Sequence, residues 1–142
     1  MKITYKETKD LDYEKVVDIF YEANFLKHAE KRKTYSKRIE MAFRNSQYVV
    51  SAYDEDELIG FARVVTDQIL FATIWNMIVK TEYQKRGIGK LMVQRCLKKF
   101  PKCHFFLFAS DKVVNFYRKS GFDIHQFGMY LKEGLKKSII YN

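Results

Sequence analysis

The sequence predicts an α/β domain built around a mixed β-sheet, and three observations support this class. The chain has 142 residues, of which 47% are hydrophobic, so it can form one domain with its own core. Apolar residues alternate in some segments and recur at helical spacing in others. Residues 71–79 form a long, nearly all-apolar run, which is typical of a buried central strand. We therefore expect residues 1–142 to form a single domain.

The first third of the chain predicts a strand followed by two helices. Residues 3–8 alternate between apolar and polar and predict the strand. Asp12 is placed to cap a helix, in which Val16 and Phe20 belong to a series of apolar residues at helical spacing. Residues 34–44 predict the second helix, with Tyr35, Ile39 and Phe43 among its apolar residues.

The middle of the chain predicts an antiparallel hairpin and then the central strand. Strands over 48–53 and 58–65 flank the acidic turn 54–57. The apolar run 71–79 follows, and residues 90–99 predict an amphipathic helix.

The last third predicts a short strand over 103–108 and a helix over 111–119. Gly121 follows this helix and is suited to a left-handed C-terminal cap. Residues 122–124 and 128–131 predict a final hairpin. The predicted order is β-α-α-β-β-β-α-β-α-β-β, a mixed sheet flanked by helices.

Charge and composition narrow the classes of function. The net charge of +9 favours anionic partners, but the lysines are spread along the chain as solvated helix faces would require. We therefore expect no nucleic-acid partner. No run of about 18 apolar residues predicts a membrane span, and the N-terminus lacks a signal-peptide core, so a cytoplasmic protein is expected. Cys96 and Cys103 are expected to be free thiols rather than a disulfide or a metal pair.

The most informative segment is Gln84–Lys90, Gln-Lys-Arg-Gly-Ile-Gly-Lys, which we call the glycine loop. It lies between the central strand and the next helix. The first N–H groups of a helix lack partners within it and carry the positive end of its dipole, so they favour an anion. Gly87 and Gly89 allow close approach of the backbone, and basic side chains add charge. The loop predicts a phosphate or pyrophosphate ligand, although a solvated strand-to-helix connection has the same composition.

Two common nucleotide motifs do not fit the glycine loop. A P-loop needs four residues between two glycines and a Gly-Lys-[Ser/Thr] ending, which this segment lacks. The dinucleotide fingerprint needs a third glycine, and Val93 stands near its expected position.

The element order and three motifs resemble the GNAT family of acyl-CoA-dependent N-acetyltransferases. Gln84, Gly87 and Gly89 match the family's cofactor loop, [Gln/Arg]-x-x-Gly-x-[Gly/Ala]. The segment 115–122, Asn-Phe-Tyr-Arg-Lys-Ser-Gly-Phe, is similar to a later family segment and puts Tyr117 at its tyrosine position. The segment 58–63 is similar to the strand before the family's central strand.

A narrower likeness points to the plant and cyanobacterial branch, which includes the serotonin N-acetyltransferase-type (arylalkylamine) enzymes. It rests on the segments 66–67, 72–76, 107–114 and 128–129. This chain departs from the branch in one place, because Asn76 stands where the branch usually has Asp. An amide cannot accept a proton as a carboxylate does, which weakens the transfer of the substrate class.

The resemblance implies that acetyl-CoA is the co-substrate and assigns residues to it. The glycine loop would hold the pyrophosphate through backbone N–H groups, and the central strand would pair with the pantetheine amides. The cofactor-binding residues so predicted are Met77, Ile78, Val79, Gln84, Lys85, Arg86, Gly87, Ile88, Gly89, Lys90 and Asn115. Tyr117 would be the catalytic residue and would assist the leaving thiolate. No metal is expected.

The resemblance implies N-acetylation of a primary amine but leaves the acceptor and the base open. The acceptor is expected to be a small (aryl)alkylamine or polyamine, with a protein lysine or N-terminus as the alternative. A non-catalytic acyl-CoA-binding regulator on the same fold is a further alternative, and a homodimer would fit aromatic C-terminal strands. Candidate bases are Glu22, His28, Glu40, Asp67 and Glu82.

Overall fold

A computed structural model describes residues 1–131 of the chain. Nine elements of regular structure follow one another in this part. They are β1 (Ile3–Lys6), α1 (Tyr13–Glu22), α2 (Arg32–Arg44), β2 (Tyr48–Asp54), β3 (Glu57–Thr66), β4 (Phe71–Val79), α3 (Ile88–Lys99), β5 (His104–Phe106) and α4 (Val114–Lys119). Short 3-10 turns at Ala29–Lys31 and Thr81–Tyr83 precede α2 and the glycine loop.

The strands form one mixed five-stranded sheet in the order β1-β2-β3-β4-β5. Each of the first three pairings is antiparallel, and β4 pairs with β5 in parallel. The parallel pair is connected through α3, as a parallel connection requires a crossover. The predicted fold class, an α/β domain with a mixed sheet, is confirmed.

Helices cover both faces of the sheet, and the sheet separates the core into two apolar clusters. One apolar cluster lies under α3 and α4 and includes Val50, Ile74, Met92 and Tyr117. The other lies under α1 and α2 and includes Phe20, Phe43 and Phe61 with Ile78. β2 and β3 contribute to both clusters because successive side chains of a strand point to opposite faces.

Local sequence signals explain the start of α1 and the end of α4. Asp12 caps α1 as predicted, since its Oδ1 accepts hydrogen bonds from the N–H groups of Glu14 at 3.1 Å and Lys15 at 3.4 Å. At the end of α4, Gly121 has φ +97°, and Phe122 N–H donates to the Tyr117 carbonyl at 3.1 Å. This pattern is a Schellman cap, and the predicted left-handed cap is confirmed.

The predicted final hairpin is wrong, because residues 122–124 and 128–131 form no strand in the described part of the chain. Most of this segment is exposed, and β5 already pairs with β4 on its inner side over three residues only. The outer edge of β5 is only three residues long, so it offers little length for a further strand to pair with. The expected homodimer rested partly on these strands and stays a prediction without them.

Several other boundaries differ from prediction. β1 ends at Lys6 rather than at residue 8, and α2 and α3 each begin two residues earlier than predicted. The strand predicted over 103–108 is limited to His104–Phe106, and the helix predicted over 111–119 begins at Val114. The N–H groups of Val113 and Val114 both donate to the Ser110 carbonyl, so residues 110–113 form a turn before the helix. Residues 132–142 of the predicted domain lie outside the described residues.

Candidate functional site: a bulged strand between an open edge and a cavity

A β-bulge in β4 organises the candidate site. Phe61 of β3 pairs with Ile78, but Arg63, two residues later, pairs with Trp75, which is three residues away. β4 therefore carries one extra residue opposite β3. Asn76 lies in the bulge with φ +53°, a conformation that asparagine tolerates better than most residues.

The bulge exchanges the two faces of β4. Before it, Ala72 and Ile74 belong to the cluster under α3. After it, Ile78 belongs to the cluster under α1 and α2, while Met77 packs against the α3 side. Without the extra residue, positions 74 and 78 would point to the same face.

Beyond the bulge, one edge of β4 lacks a partner strand. The pairing with β5 ends at Thr73, opposite Phe106, and within residues 1–131 no other strand pairs with this side of residues 74–79. We call this side the open edge. Phe108 follows β5, and its ring lies 5.7 Å from that of Trp75 on β4.

The predicted residues of β4 divide between the open edge and β3. Lys80 N–H donates to the Ile59 carbonyl of β3 at 2.8 Å, and Ile78 is paired with Phe61. Because backbone groups alternate along a strand, those of Met77 and Val79 face the open edge. Ile78 therefore anchors the edge to β3.

The glycine loop is fastened to the end of β4. Gln84 Nε2 donates to the Val79 carbonyl at 2.9 Å, which leaves the Val79 N–H on the open edge. Gly87 is the N-cap of α3 with φ +81°, where a side chain would be strained, and the non-glycine Lys85 also has a positive φ, +60°. Lys85, Arg86 and Lys90 are exposed.

The start of α3 presents free donors. Leu91 N–H donates to the Gly87 carbonyl at 3.0 Å, so the N–H groups of Ile88, Gly89 and Lys90 precede the first helical hydrogen bond. Gly89 also packs closely, because a Cβ there would lie 3.2 Å from Phe116 Cζ of α4 and 3.5 Å from Met77 Cε. β4, the glycine loop and α4 thus meet at one place.

Tyr117 lies in α4 on the α3 side of the sheet, with 9% of its surface exposed. Its ring packs edge-to-face with those of Phe116 and Phe122, at centroid distances of 5.0 Å and 5.9 Å. Burial, with a smaller contribution from nearby Cys96, raises the pKa of Tyr117 to about 12. The phenol is therefore a neutral hydrogen-bond donor at physiological pH. Asn115, two residues earlier, is exposed.

The opposite side of the bulge opens into a cavity of about 270 Å³ beside α2. We call it the α2 cavity. Its lining residues come from α1, α2, β3, the bulge and the segment after α1. They are Phe20, Leu26, Tyr35, Arg38, Ile39, Ala42, Phe43, Arg63 and Asn76.

Sequence analysis missed Arg63 as a site residue. Its Nε donates to Asn76 Oδ1 at 2.7 Å, its Nη1 donates to Ser46 Oγ at 3.3 Å, and its guanidinium lies over the Phe43 ring. A charged residue within an otherwise apolar strand was the available signal, because such residues are rarely buried without a reason.

None of the predicted candidate bases lines the α2 cavity. Asp67 Oδ1 accepts hydrogen bonds from the N–H groups of Ile69, Leu70 and Phe71, which lower its pKa and fix the turn before β4. Glu40 pairs with Arg44 at 3.2 Å. Glu22 and Glu82 are exposed, and His28 lies 3.3 Å from Glu30.

A depression of about 390 Å³ lies elsewhere, between β1, β2 and α3. Glu7, Tyr48 and Arg95 are among its lining residues, and it shares no lining residue with the α2 cavity. In the described range no group of His, Cys, Asp and Glu side chains is arranged to hold a metal ion. None of the helices there combines the length and apolarity that a membrane crossing requires.

The family model described as an acetyltransferase (GNAT) domain matches residues 7–134. The chain belongs to the GNAT family. The family predicted from the glycine loop and the segment around Tyr117 is therefore confirmed.

Relatives of this GNAT protein include proteins named as acetyltransferases. The uncharacterized N-acetyltransferase ycf52 of Porphyra purpurea is 31% identical over 93 residues, which are 61% of this chain and 53% of the relative. The histone acetyltransferase TAP1 of Glycine max is 31% identical over 100 residues, 61% of this chain and 43% of the relative. The chain thus spans about half the length of these curated relatives. Neither is named a serotonin N-acetyltransferase, so the narrower branch stays a prediction.

Solved structures agree with the GNAT fold. A GNAT-family acetyltransferase from Streptococcus pneumoniae TIGR4 has a TM-score of 0.78 at 24% identity, covering 93% of this chain and 99% of that one. A predicted acetyltransferase from Clostridium acetobutylicum, solved with acetyl-CoA, has a TM-score of 0.73 at 19% identity, with 92% and 96% covered.

Proposed function

We propose that this GNAT protein transfers the acetyl group of acetyl-CoA to a primary amine by direct attack. The observation that carries the proposal is the open edge of β4. It runs from the bulge at Asn76 to the glycine loop, so one continuous surface joins a set of unpaired backbone groups to a helix N-terminus. Acetyl-CoA has matching parts, a thioester, a chain with amide groups and an anionic end.

The described residues fit each part of acetyl-CoA. The N–H groups of Ile88, Gly89 and Lys90 would hold the pyrophosphate at the start of α3, with Lys85 and Arg86 adding positive charge.

Along the open edge, Met77 and Val79 would bond the amides of the pantetheine arm, as an added strand bonds a sheet edge. Ile78 and Gln84 would hold this edge in place, and Asn115 on α4 is exposed and able to contact the ligand through its amide.

Tyr117 would assist the leaving thiolate as a hydrogen-bond donor. Its pKa of about 12 lies well above that of an ordinary thiol, about 8.5. Complete proton transfer to the thiolate would therefore be uphill by about 5 kcal/mol. A retained proton that stabilises the developing charge is the more favourable role.

The acceptor amine must lose a proton before it attacks. An alkylamine with a pKa of about 10.4 is neutral in roughly one molecule in 2,500 at pH 7, a cost of about 4.6 kcal/mol. Among the described residues, those that line the α2 cavity include no carboxylate or histidine. Either water would therefore take the proton from the amine, or the site would bind the amine in its neutral form.

The α2 cavity would receive the acceptor, because Asn76 lines it and the next residue, Met77, faces the open edge. Phe20, Tyr35 and Phe43 in its lining support an arylalkylamine. Arg38 and Arg63 disfavour a polyamine, since like charges repel. The name of the Glycine max relative supports a protein lysine or N-terminus as the second candidate.

The test is thiol release from acetyl-CoA across an amine panel that contains tryptamine, serotonin, spermidine, an aminoglycoside and a lysine peptide. We expect more turnover with the small aromatic amines than with spermidine. Turnover with the peptide alone would favour the protein acceptor. If acetyl-CoA binds but nothing in this panel or in the acceptor pairs described below is acetylated, the regulator interpretation replaces the proposal.

A further inference from the structure

Arg63 is a partly buried cation without an ionic partner. Its hydrogen bonds go to the neutral groups of Asn76 and Ser46, and in the described part of the chain no carboxylate forms an ion pair with it. Burial lowers the pKa of its guanidinium, which reflects lost hydration. A buried charge is costly unless it is paired, and five N–H groups leave this guanidinium with donors to spare.

A second arginine lines the same cavity. Arg38 on α2 is exposed, and it also forms no ion pair among the described residues. The other lining residues are apolar or neutral, so the α2 cavity is positively charged. A cavity lined by charges of one sign concentrates ligands of the opposite sign.

Asn76 is what keeps this charge uncompensated. Its Oδ1 accepts from Arg63 Nε at 2.7 Å, the position in which a carboxylate oxygen would form a buried ion pair. The amide orients the guanidinium but carries no charge, so Arg63 remains available to an anionic ligand.

We propose that the acceptor amine carries a carboxylate or phosphate group, which Arg63 binds inside the α2 cavity with Arg38 at the exposed side. This inference rests on the proposed acetyltransferase function, because it names the class of acceptor. The cavity volume of about 270 Å³ lies near the lower limit for ligand pockets, so the acceptor is a small molecule. Because most of the lining residues are apolar, the body of this molecule is apolar as well.

The first experiment compares pairs of amines that differ in one anionic group. The pairs are phenylalanine and phenethylamine, 4-aminobutyrate and butylamine, and glucosamine 6-phosphate and glucosamine. In this order, the pairs test a carboxylate next to the amine, a carboxylate further from the amine, and a phosphate. Binding is measured by titration calorimetry in the presence of CoA, and kcat/KM is measured with acetyl-CoA.

We expect the anionic member of at least one pair to bind at least tenfold more tightly and to have the higher kcat/KM. Equal or tighter binding of the neutral member in all three pairs would overturn the inference. Tight binding of an anionic amine without acetylation of any compound would retain Arg63 as an anion-binding residue of the α2 cavity but reject the proposed function, and with it the assignment of that amine as the acceptor. Acetylation of neutral amines alone would retain the proposed function and reject the inference.

A charge substitution then tests the role of Asn76. In Asn76→Asp the new carboxylate pairs with Arg63, so the preference for the anionic amine should fall at least tenfold. Asn24→Asp is the matched control, because Asn24 also has a positive φ, +61°, but is exposed and does not line the cavity. It should retain the preference within twofold.

Arg63→Met provides an independent variant if Asn76→Asp fails to fold. It removes the positive charge directly and should abolish the same preference. A preference that survives in both variants, or one that falls equally in Asn24→Asp, would show that Arg63 does not select the acceptor.

Discussion

The two sides of the β4 bulge present different kinds of chemical group. The open edge and the glycine loop offer backbone N–H and C=O groups, positioned by Gly87, Gly89 and the pairing of Ile78 with β3. The α2 cavity offers side chains from several elements, among which Arg63 and Asn76 carry the polarity. Backbone recognition accepts any side chain that allows the geometry, whereas a side-chain pocket changes its ligand with one substitution.

This difference suggests a division between a constant co-substrate and a variable acceptor. Under the proposed function, the backbone groups would bind a ligand that is the same in every turnover, while the cavity would set which amine enters. Each prediction below perturbs one side, or the bulge that joins them, and asks whether the other side responds.

Gly60→Val should have the largest effect on stability, because it disturbs the packing of β3 against β4 next to the bulge. A Cβ at Gly60 would lie 2.8 Å from the Ile78 carbonyl oxygen, so β3 and β4 must separate. Overpacking of this kind costs about 3 kcal/mol, measured as a loss of unfolding free energy in urea. Gly128→Val is the control, since its Cβ would meet only Phe108 at 3.5 Å. Equal stability of the two variants would contradict the register described here.

Tyr117→Phe should lower turnover at least tenfold while the Kd for acetyl-CoA changes less than twofold. The hydroxyl would stabilise the leaving thiolate only as it forms, so its loss affects the chemical step. Single-turnover rates and calorimetric titration separate the two quantities. Tyr53→Phe, on β2 and outside the site, should leave both unchanged. Unchanged turnover in Tyr117→Phe would remove Tyr117 from the mechanism.

Gly87→Val should raise the Kd for acetyl-CoA about tenfold and leave the acceptor preference unaltered. No atom lies within 4 Å of the missing Cβ, so the effect arises from the φ of +81° alone. Such strain costs on the order of 1–3 kcal/mol for a β-branched residue. Gly87→Asn should bind more tightly than Gly87→Val, because asparagine tolerates this conformation. The opposite order would indicate a role for side-chain contacts.

The smallest expected effect concerns pH. Because the pKa of Tyr117 is raised to about 12, its proton is present throughout the range from pH 7 to 10. Turnover at saturating acetyl-CoA should rise as the amine loses its proton and should show no descending limb from Tyr117. A fall in turnover with an apparent pKa near 9, at pH values where the melting temperature is unchanged, would place another ionisable group in this role.

Local signals in the sequence predicted the elements that depend on neighbouring residues. Asp12 at the start of α1 and Gly121 after α4 act through contacts a few residues apart, and both predictions are confirmed. The final hairpin failed because a strand-like pattern does not by itself provide a buried face, and most of residues 122–131 are exposed. The exchange of faces in β4 was also unpredictable, because an apolar strand buried on both sides has no alternation to interrupt.

The fold class, the family and the residues of the glycine loop follow from local sequence patterns, since glycine spacing before a helix fixes a backbone shape locally. The contact between Arg63 and Asn76 beside α2, where no carboxylate joins the pair in the described part of the chain, depends on how the strands and helices pack. These residues lie 13 positions apart on neighbouring strands, and the bulge brings them together. Their electrostatics depend on which charges surround them in space, and spacing along the chain does not contain that information.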